Sequence, residues 1–409
     1  MQTILKSIAF IIVAIIISSC SVSDEPGGTS AASSTRSVSS EKSMTYTLSE
    51  IRSIADAKLT KQSGQNTVVS INPVCATDSK LKPNLLSDTV AFIVNYQNNG
   101  GFVVIANDKR VDPILAWSDN GNMKDDNTYV RLLFLDNIQS YLASISQGFS
   151  DNIYSVANSP VRRFIVDPMV EIKLHPFTPF NEKIQEHYDW SFPSMPVIAA
   201  TTILANAKKE ITYKSFYYNF ETINYAYKQG EGFGPLHPGF QPNAFNPEIP
   251  TATFQYSYVG SVSAYNQLIY DLGEDTHTIY KELDFGDTDP ADVYLALKKM
   301  NLTMTSIQSP NLQNITNLLS DGYIFHMSGE LRDAHTGALH SGHFSWVVDG
   351  CEVYLNSDNS VQRGSLHCVW GFGDDENLMA DGFYSFPIIY RKNDVEVRSS
   401  SCFGVKMDL

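Results

Sequence analysis

At 409 residues and 45.5 kDa the chain exceeds one ordinary domain, and its 43% hydrophobic content is enough for packed cores. With 29 Lys and Arg against 44 Asp and Glu, the formal charge of −15 and the pI near 5.0 exclude a polyanion such as nucleic acid as the expected partner. The 22 Phe and 21 Tyr, with only 18% charged residues, exclude disorder over most of the length.

The chain opens with Lys6, an apolar run over 7–17, then Ser18, Ser19 and Cys20. A basic residue, a short apolar run and small residues before a cleavage point form an export signal. The run falls short of the roughly 20 residues that a spanning helix needs. Ile-Ser-Ser ahead of Cys20 resembles the bacterial lipobox, in which the thiol is diacylated and becomes the first residue of the mature chain. The expectation is a lipoprotein signal peptide over 1–19, a flexible tether over 20–44 whose Gly, Ser and Thr cannot bury a core, and a lipid on Cys20. The chain would then sit in the cell envelope, held to the outer membrane. Asp24 and Glu25 resemble the surface-export signals of some Gram-negative lipoproteins; ordinary secretion with release is the alternative. Cys75, Cys351, Cys368 and Cys402 are spread too widely for a small disulfide scaffold, so buried free thiols and a bridge at Cys351 or Cys368 are both open.

Ordered structure is predicted from Thr47, which with Glu50 fits a capping box ahead of Leu48, Ile51, Ile54, Ala55 and Leu59 at helical spacing. Ala91 to Tyr96 and Gly101 to Ala106 read as a hairpin joined through Gln97, Asn98, Asn99 and Gly100. Tyr129 to Ile145 reads as a second helix, which makes 45–150 a small helix-plus-sheet unit. Residues 151–169, with Asn, Ser, Pro and the pair Arg162 and Arg163, read as an exposed connector. Beyond it, Pro196 to Ile211 and Asp289 to Met300 are predicted helices, and Tyr323 to Met327, Phe344 to Val348 and Phe383 to Tyr390 predicted strands.

The chemistry-bearing segments lie in the C-terminal part. Ser341-Gly342-His343-Phe344-Ser345-Trp346-Val347-Val348-Asp349-Gly350 puts a histidine at the head of an apolar strand that ends in an Asp-Gly turn. His367-Cys368-Val369-Trp370-Gly371-Phe372-Gly373 and Gly382-Phe383-Tyr384 follow. With Gly101-Phe102-Val103-Val104-Ile105 and Leu115-Ala116-Trp117-Ser118-Asp119, these segments resemble the streptopain family of papain-like cysteine peptidases, made with an N-terminal prodomain. The resemblance spans most of 45–409. It implies an α+β chain, with an inhibitor-like prodomain over 45–150 and a streptopain-type papain fold over 170–409.

The resemblance also implies a site, and this sequence departs from it. The family's GHxW-V-x-DG strand supplies the catalytic histidine, here His343, although Phe344 and Ser345 precede Trp346 where the family usually has one residue. The family's N-W-G-W-G turn supplies an orienting asparagine and a shielding tryptophan; those positions are Val369 and Trp370. The glutamine position of the oxyanion hole, within 174–181, is Pro176, and the nucleophilic cysteine position is Pro196. Proline offers neither a thiol nor a backbone N–H, and losing one oxyanion donor typically costs roughly 100 to 1,000-fold in rate. Val369 cannot hold a histidine tautomer.

The expectation is a homologue without peptidase activity, no cofactor and no metal. It would bind a peptide or envelope protein in the former cleft, or inhibit a peptidase through its prodomain. The alternative is an active peptidase using His343 and a substituted nucleophile, Ser194. His335, His340 and His343 lack a recognisable ligand pattern. Asp287, Asp289 and Asp292 lack the glycine and terminal glutamate of a calcium loop and are expected to cap the helix from Asp289 and Pro290.

Overall fold

The computed structural model describes residues 44–59, 67–127, 130–146, 162–177, 179–188, 191–214, 216–228, 256–257, 261–281, 285–307, 310–332, 339–372, 379–389 and 402–408. The export signal, Cys20, the tether up to residue 43, residues 151–161 and His335 lie outside them.

The first helix, α1 (Leu48–Leu59), begins as the capping box requires. The Thr47 N–H donates to Glu50 Oε2 at 2.8 Å and the Glu50 N–H to Thr47 Oγ1 at 3.3 Å. β1 (Val68–Cys75), β2 (Thr89–Tyr96), β3 (Phe102–Ala106) and β4 (Ile114–Ser118) form an antiparallel meander. The β2–β3 turn is the predicted one: Asn98 and Asn99 take positive φ. Gly101, at φ +102°, lies so close to Ser118 that a Cβ would meet its carbonyl at 2.2 Å.

Every residue of β3 is buried because the sheet is covered on both faces. Ile51, Ala55 and Leu59 of α1 pack with Val103, Ile105 and Trp117 on one side. A π-helical turn (Arg131–Leu135) leading into α2 (Asp136–Ser146) packs with Phe102 and Val104 on the other.

β5 (Arg162–Val166) follows, inside the stretch predicted as an exposed connector. It pairs Arg163 with Tyr354 and Val166 with Cys351, so the two arginines belong to a sheet. Phe164-Ile165-Val166 is a branched apolar run with strand preference, and a composition-based reading passes over so short a segment.

Then come α3 (Glu182–His187), α4 (Met195–Ala207), β6 (Glu210–Tyr213), β7 (Phe216–Asn219), α5 (Phe220–Lys228), β8 (Tyr256–Ser257), α6 (Ser261–Asp275), α7 (Pro290–Lys298), β9 (Met304–Ile307), α8 (Leu312–Ser320), β10 (Tyr323–Arg332), β11 (Leu339–Leu355), β12 (Val361–Val369), β13 (Gly382–Ser385), α9 (Phe386–Ile389) and β14 (Cys402–Lys406). α4 is apolar all round and nearly every residue is buried, the pattern of a central helix. Ile198, Ile203 and Leu204 join Ile324, Val347, Val369, Phe403 and Val405 of the sheet in one cluster. Asp289 caps α7 as expected, accepting from the Ala291 N–H at 2.9 Å, with Pro290 in the first turn.

β11 corrects another expectation. It does not turn at Asp349-Gly350 but runs on to Leu355, with a shift in its pairing to β12 between Val348 and Gly350. The backbone of the incoming segment lies over this point, where a Cβ on Gly350 would meet the Val166 carbonyl at 2.8 Å. Asp349 turns inward to accept the N–H groups of Met169 and Val170 at 2.9 and 2.7 Å. The predicted strand over 383–390 is likewise shorter and gives way to α9.

The sheets of the two parts are one. An eleven-stranded sheet runs β1-β2-β3-β4-β13-β12-β11-β10-β14-β9, with β5 on β11 beyond the end of β10, and a separate small sheet holds β6-β7-β8. The join is β4 against β13, Trp117 opposite Phe383 and Ala116 opposite Tyr384. An ionic cluster around the buried Glu352 reinforces it. Lys58 of α1 and Arg163 of β5 both bind Glu352 of β11, at 2.6 and 2.8 Å. The fold is of mixed α+β class, as expected.

Candidate functional site

The N-terminus of α4 is the natural place to look, because a helix start presents unpaired N–H groups and positive potential. Here the N–H of Val197 is already taken and that of residue 196, a proline, is missing. Ser194 is the cap residue, fully buried, and its Oγ accepts the Val197 N–H at 3.4 Å. The same hydroxyl lies 2.5 Å from Thr288 Oγ1, which lies 2.6 Å from Thr278 Oγ1. Pro196 stands second in the helix and is buried. Its carbonyl accepts from Nε2 of His326, at 3.2 Å.

His343 lies in β11, opposite Glu330 of β10. Its side chain is a quarter exposed, and both its N–H and its Nδ1 bind Oδ1 of Asp287, at 3.1 and 3.2 Å. Asp287 is thus the partner of a histidine and not a helix cap.

The pairing of β10 with β11 runs without a shift from Phe325–Val348 to Glu330–His343, so no bulge interrupts the alternation of side chains between His343 and Trp346. Strand side chains alternate, and one added residue reverses the face. The residue that shares a face with Trp346, two positions back, is therefore Phe344. Its ring lies 6.5 Å from that of Trp370 and 5.6 Å from that of Phe372.

Trp370 is fully buried, 5.4 Å from Trp346 and edge-on to Tyr384 at 5.2 Å. Its backbone N–H donates to Asp381 Oδ1 at 2.8 Å. Val369 sits in the core opposite Val347, and Pro176 is buried. Phe177, Phe192 and Phe285 meet ring to ring at 5.8 to 6.1 Å. Phe177 and Phe285 pack on the core that holds Met195, Phe344 and Trp370. Beyond the Ser194, Thr288 and Thr278 hydroxyls and the His326 imidazole, aromatic rings surround the helix start.

The three described thiols outside Cys75, those of Cys351, Cys368 and Cys402, are free and buried. Burial pushes Cys351 up to about 11 and Cys402 to about 12, so neither is a ready thiolate. Among the described residues, no group of three or more His, Cys, Asp or Glu could hold a metal ion.

Two buried histidines with polar partners were not singled out by the sequence. His326 lies within an apolar strand. His367 binds Asp349 at 2.5 Å across 18 positions. The residues of such pairs are brought together by sheet register, and local spacing carries no sign of them.

Comparison with known proteins agrees with the N-terminal reading. Residues 38–142 match the family model described as Spi protease inhibitor. No curated protein sequence matches the chain. Among solved structures, the chain is similar to a fragment of Prevotella intermedia prointerpain A, with 14% identity and a TM-score of 0.48 over 84% of this chain and 98% of that one.

Proposed function

We propose that this chain is a lipid-anchored envelope protein on the plan of a streptopain-type peptidase precursor, whose C-terminal part no longer cleaves peptide bonds and acts by binding. The observation that carries the reading is Pro196, buried at the start of α4 where the resemblance puts the nucleophile. The substituted-nucleophile alternative draws no support from Ser194, whose hydroxyl is buried and engaged by Val197 and Thr288. Nor does His343 supply a base there, since it is bound to Asp287. The Spi-type segment over 38–142 and its strand join to β13 favour an inhibitor-like part that stays docked on its own chain. The partner is then a peptide or an envelope protein bound by the C-terminal part.

The test is hydrolysis of casein and fluorogenic peptides by the purified chain and its His343→Ala variant, followed by inhibition of a streptopain-type peptidase by the same chain. No turnover is expected. Turnover lost in His343→Ala would overturn the reading, and inhibition in trans would show that the Spi-type segment leaves its dock. For the anchor, radiolabelled palmitate is expected on the chain and not on its Cys20→Ala variant.

A further inference from the structure

A cavity of about 150 Å³ lies on the seam where β4 meets the C-terminal part, away from the start of α4. It is lined by Asp119 beside β4, Arg163 and Ile165 of β5, Asp167, and His367 and Phe383 of β12 and β13. Pockets for drug-sized molecules run from roughly 300 to 1,000 Å³, so this one suits a single functional group on a short stem.

The lining sets which group. His367 is about nine-tenths buried. Asp349 behind it accepts at both oxygens: Oδ2 takes the Met169 and Val170 N–H groups, and Oδ1 takes His367 Nδ1 at 2.5 Å. The ring hydrogen on that side therefore sits on Nδ1, which leaves Nε2 as the ring's second polar atom. The ring is held edge-on to Phe383 at 5.0 Å, which stacks on Trp117 at 4.5 Å and an interplanar angle of 4°.

Among the described residues one cation lies on the wall, Arg163, and it is bound to Glu352, which lines the cavity as well. Asp119 and Asp167 are exposed, and their carboxylates leave the mouth net negative. Carboxylates at the rim, an imidazole on the wall and an apolar side of Ile165 and Phe383 together select a donor-rich cation.

The geometry points to a second binding site on this seam, which takes an ammonium or guanidinium group carried on a short aliphatic stem. The source is a free amine or a basic side chain of a peptide. Because the cavity takes residues from both the Spi-type segment and the C-terminal part, occupancy would brace one against the other.

The test is calorimetric titration of the full chain at low ionic strength, where surface attraction is least screened. The probes are agmatine, N-acetyl-arginine amide and, as an acidic control, glutarate. Saturable binding of at least one cation and none of glutarate is expected. Asp119→Asn with Asp167→Asn should weaken it by about tenfold or more without moving the melting temperature, and His367→Phe should weaken it as well. Tighter binding of agmatine assigns a free amine, and of the blocked arginine a peptide side chain. Absence of binding by both cations up to roughly 10 mM, binding of glutarate, or an affinity unchanged in the double Asn variant would each overturn the assignment.

Discussion

His326 and Pro196 meet in the interior, the imidazole Nε2 3.2 Å from the proline carbonyl across 130 positions of sequence. Phe403 stacks on the same ring at 4.7 Å and 6°. The bond requires the hydrogen on Nε2, and burial pushes the imidazole down to about 4.

A pH prediction follows from that depressed value. The unfolded histidine takes up its proton near pH 6.5, whereas the folded one resists it down to about 4. Between those limits the unfolded chain binds the extra proton, so acidification costs stability, about 3 kcal/mol over the whole window. Urea midpoints measured from pH 7.5 to 4 should fall more steeply in the native chain than in His326→Leu. Parallel curves would show that His326 is not the group responsible.

Pro196→Cys should be tolerated and inert. The missing N–H of a proline in the first turn is an orphan in any case, so the change should cost no more than about 1 kcal/mol. The new thiol would have no imidazole to share its proton, because the residue facing Trp370 is Phe344. Labelling by a peptidyl epoxide is expected in Pro196→Cys combined with Phe344→His, and not in Pro196→Cys alone. Labelling of the single variant that vanishes with His343→Ala would mean that His343, despite its face, reaches the helix start.

What the sequence made legible was local. The Thr47–Glu50 box, the Asn98–Asn99 turn, the proline at the head of α4 and the Asp289 cap all depend on residues within a few positions of each other. Pro196 and Val369 were read as residue types that cannot do the chemistry the resemblance implies, and the structure buries both. Long-range pairing was not legible. Nothing near Trp117 announces Phe383, and nothing near Lys58 announces Glu352, 294 positions away. The orientation of His343 was half legible: the extra residue before Trp346 was plain, but only the unshifted pairing with β10 decides that no bulge interrupts the alternation of side chains there.

Glu352 is predicted to be the residue on which the seam most depends. Burial pushes its carboxyl up, but the Arg163 hydrogen bond and the nearby Lys58 charge outweigh that and hold it below the usual range. Its contribution is therefore present above the unfolded value near 4.3 and is lost as pH falls through the lower folded value. Glu352→Ala would leave Lys58 buried without its partner, at about 3 kcal/mol. It should also free β5, so that trypsin cuts at Arg162 or Arg163 in the variant and spares the native strand. Equal cutting rates in both would show that the ionic cluster does not hold β5.

Ser194 separates a structural hydroxyl from a nucleophile. As the cap of α4 it holds the Val197 N–H, and removal of such a cap costs about 1 kcal/mol. Its second contact, Thr288, belongs to the hydroxyl chain that ties the 276–288 segment to the helix start, so Ser194→Ala leaves a buried partner short and the loss should approach about 2 kcal/mol. Ser194→Asp restores an acceptor for the helix but puts a charge where no cation is in contact, and should be worse than alanine. Being fully buried and engaged by Val197 and Thr288, the native hydroxyl should not react with a fluorophosphonate probe. Thermal unfolding of the two variants and probe labelling of the native chain decide the matter. A stable Ser194→Ala protein that has lost a label present in the native chain would make Ser194 reactive.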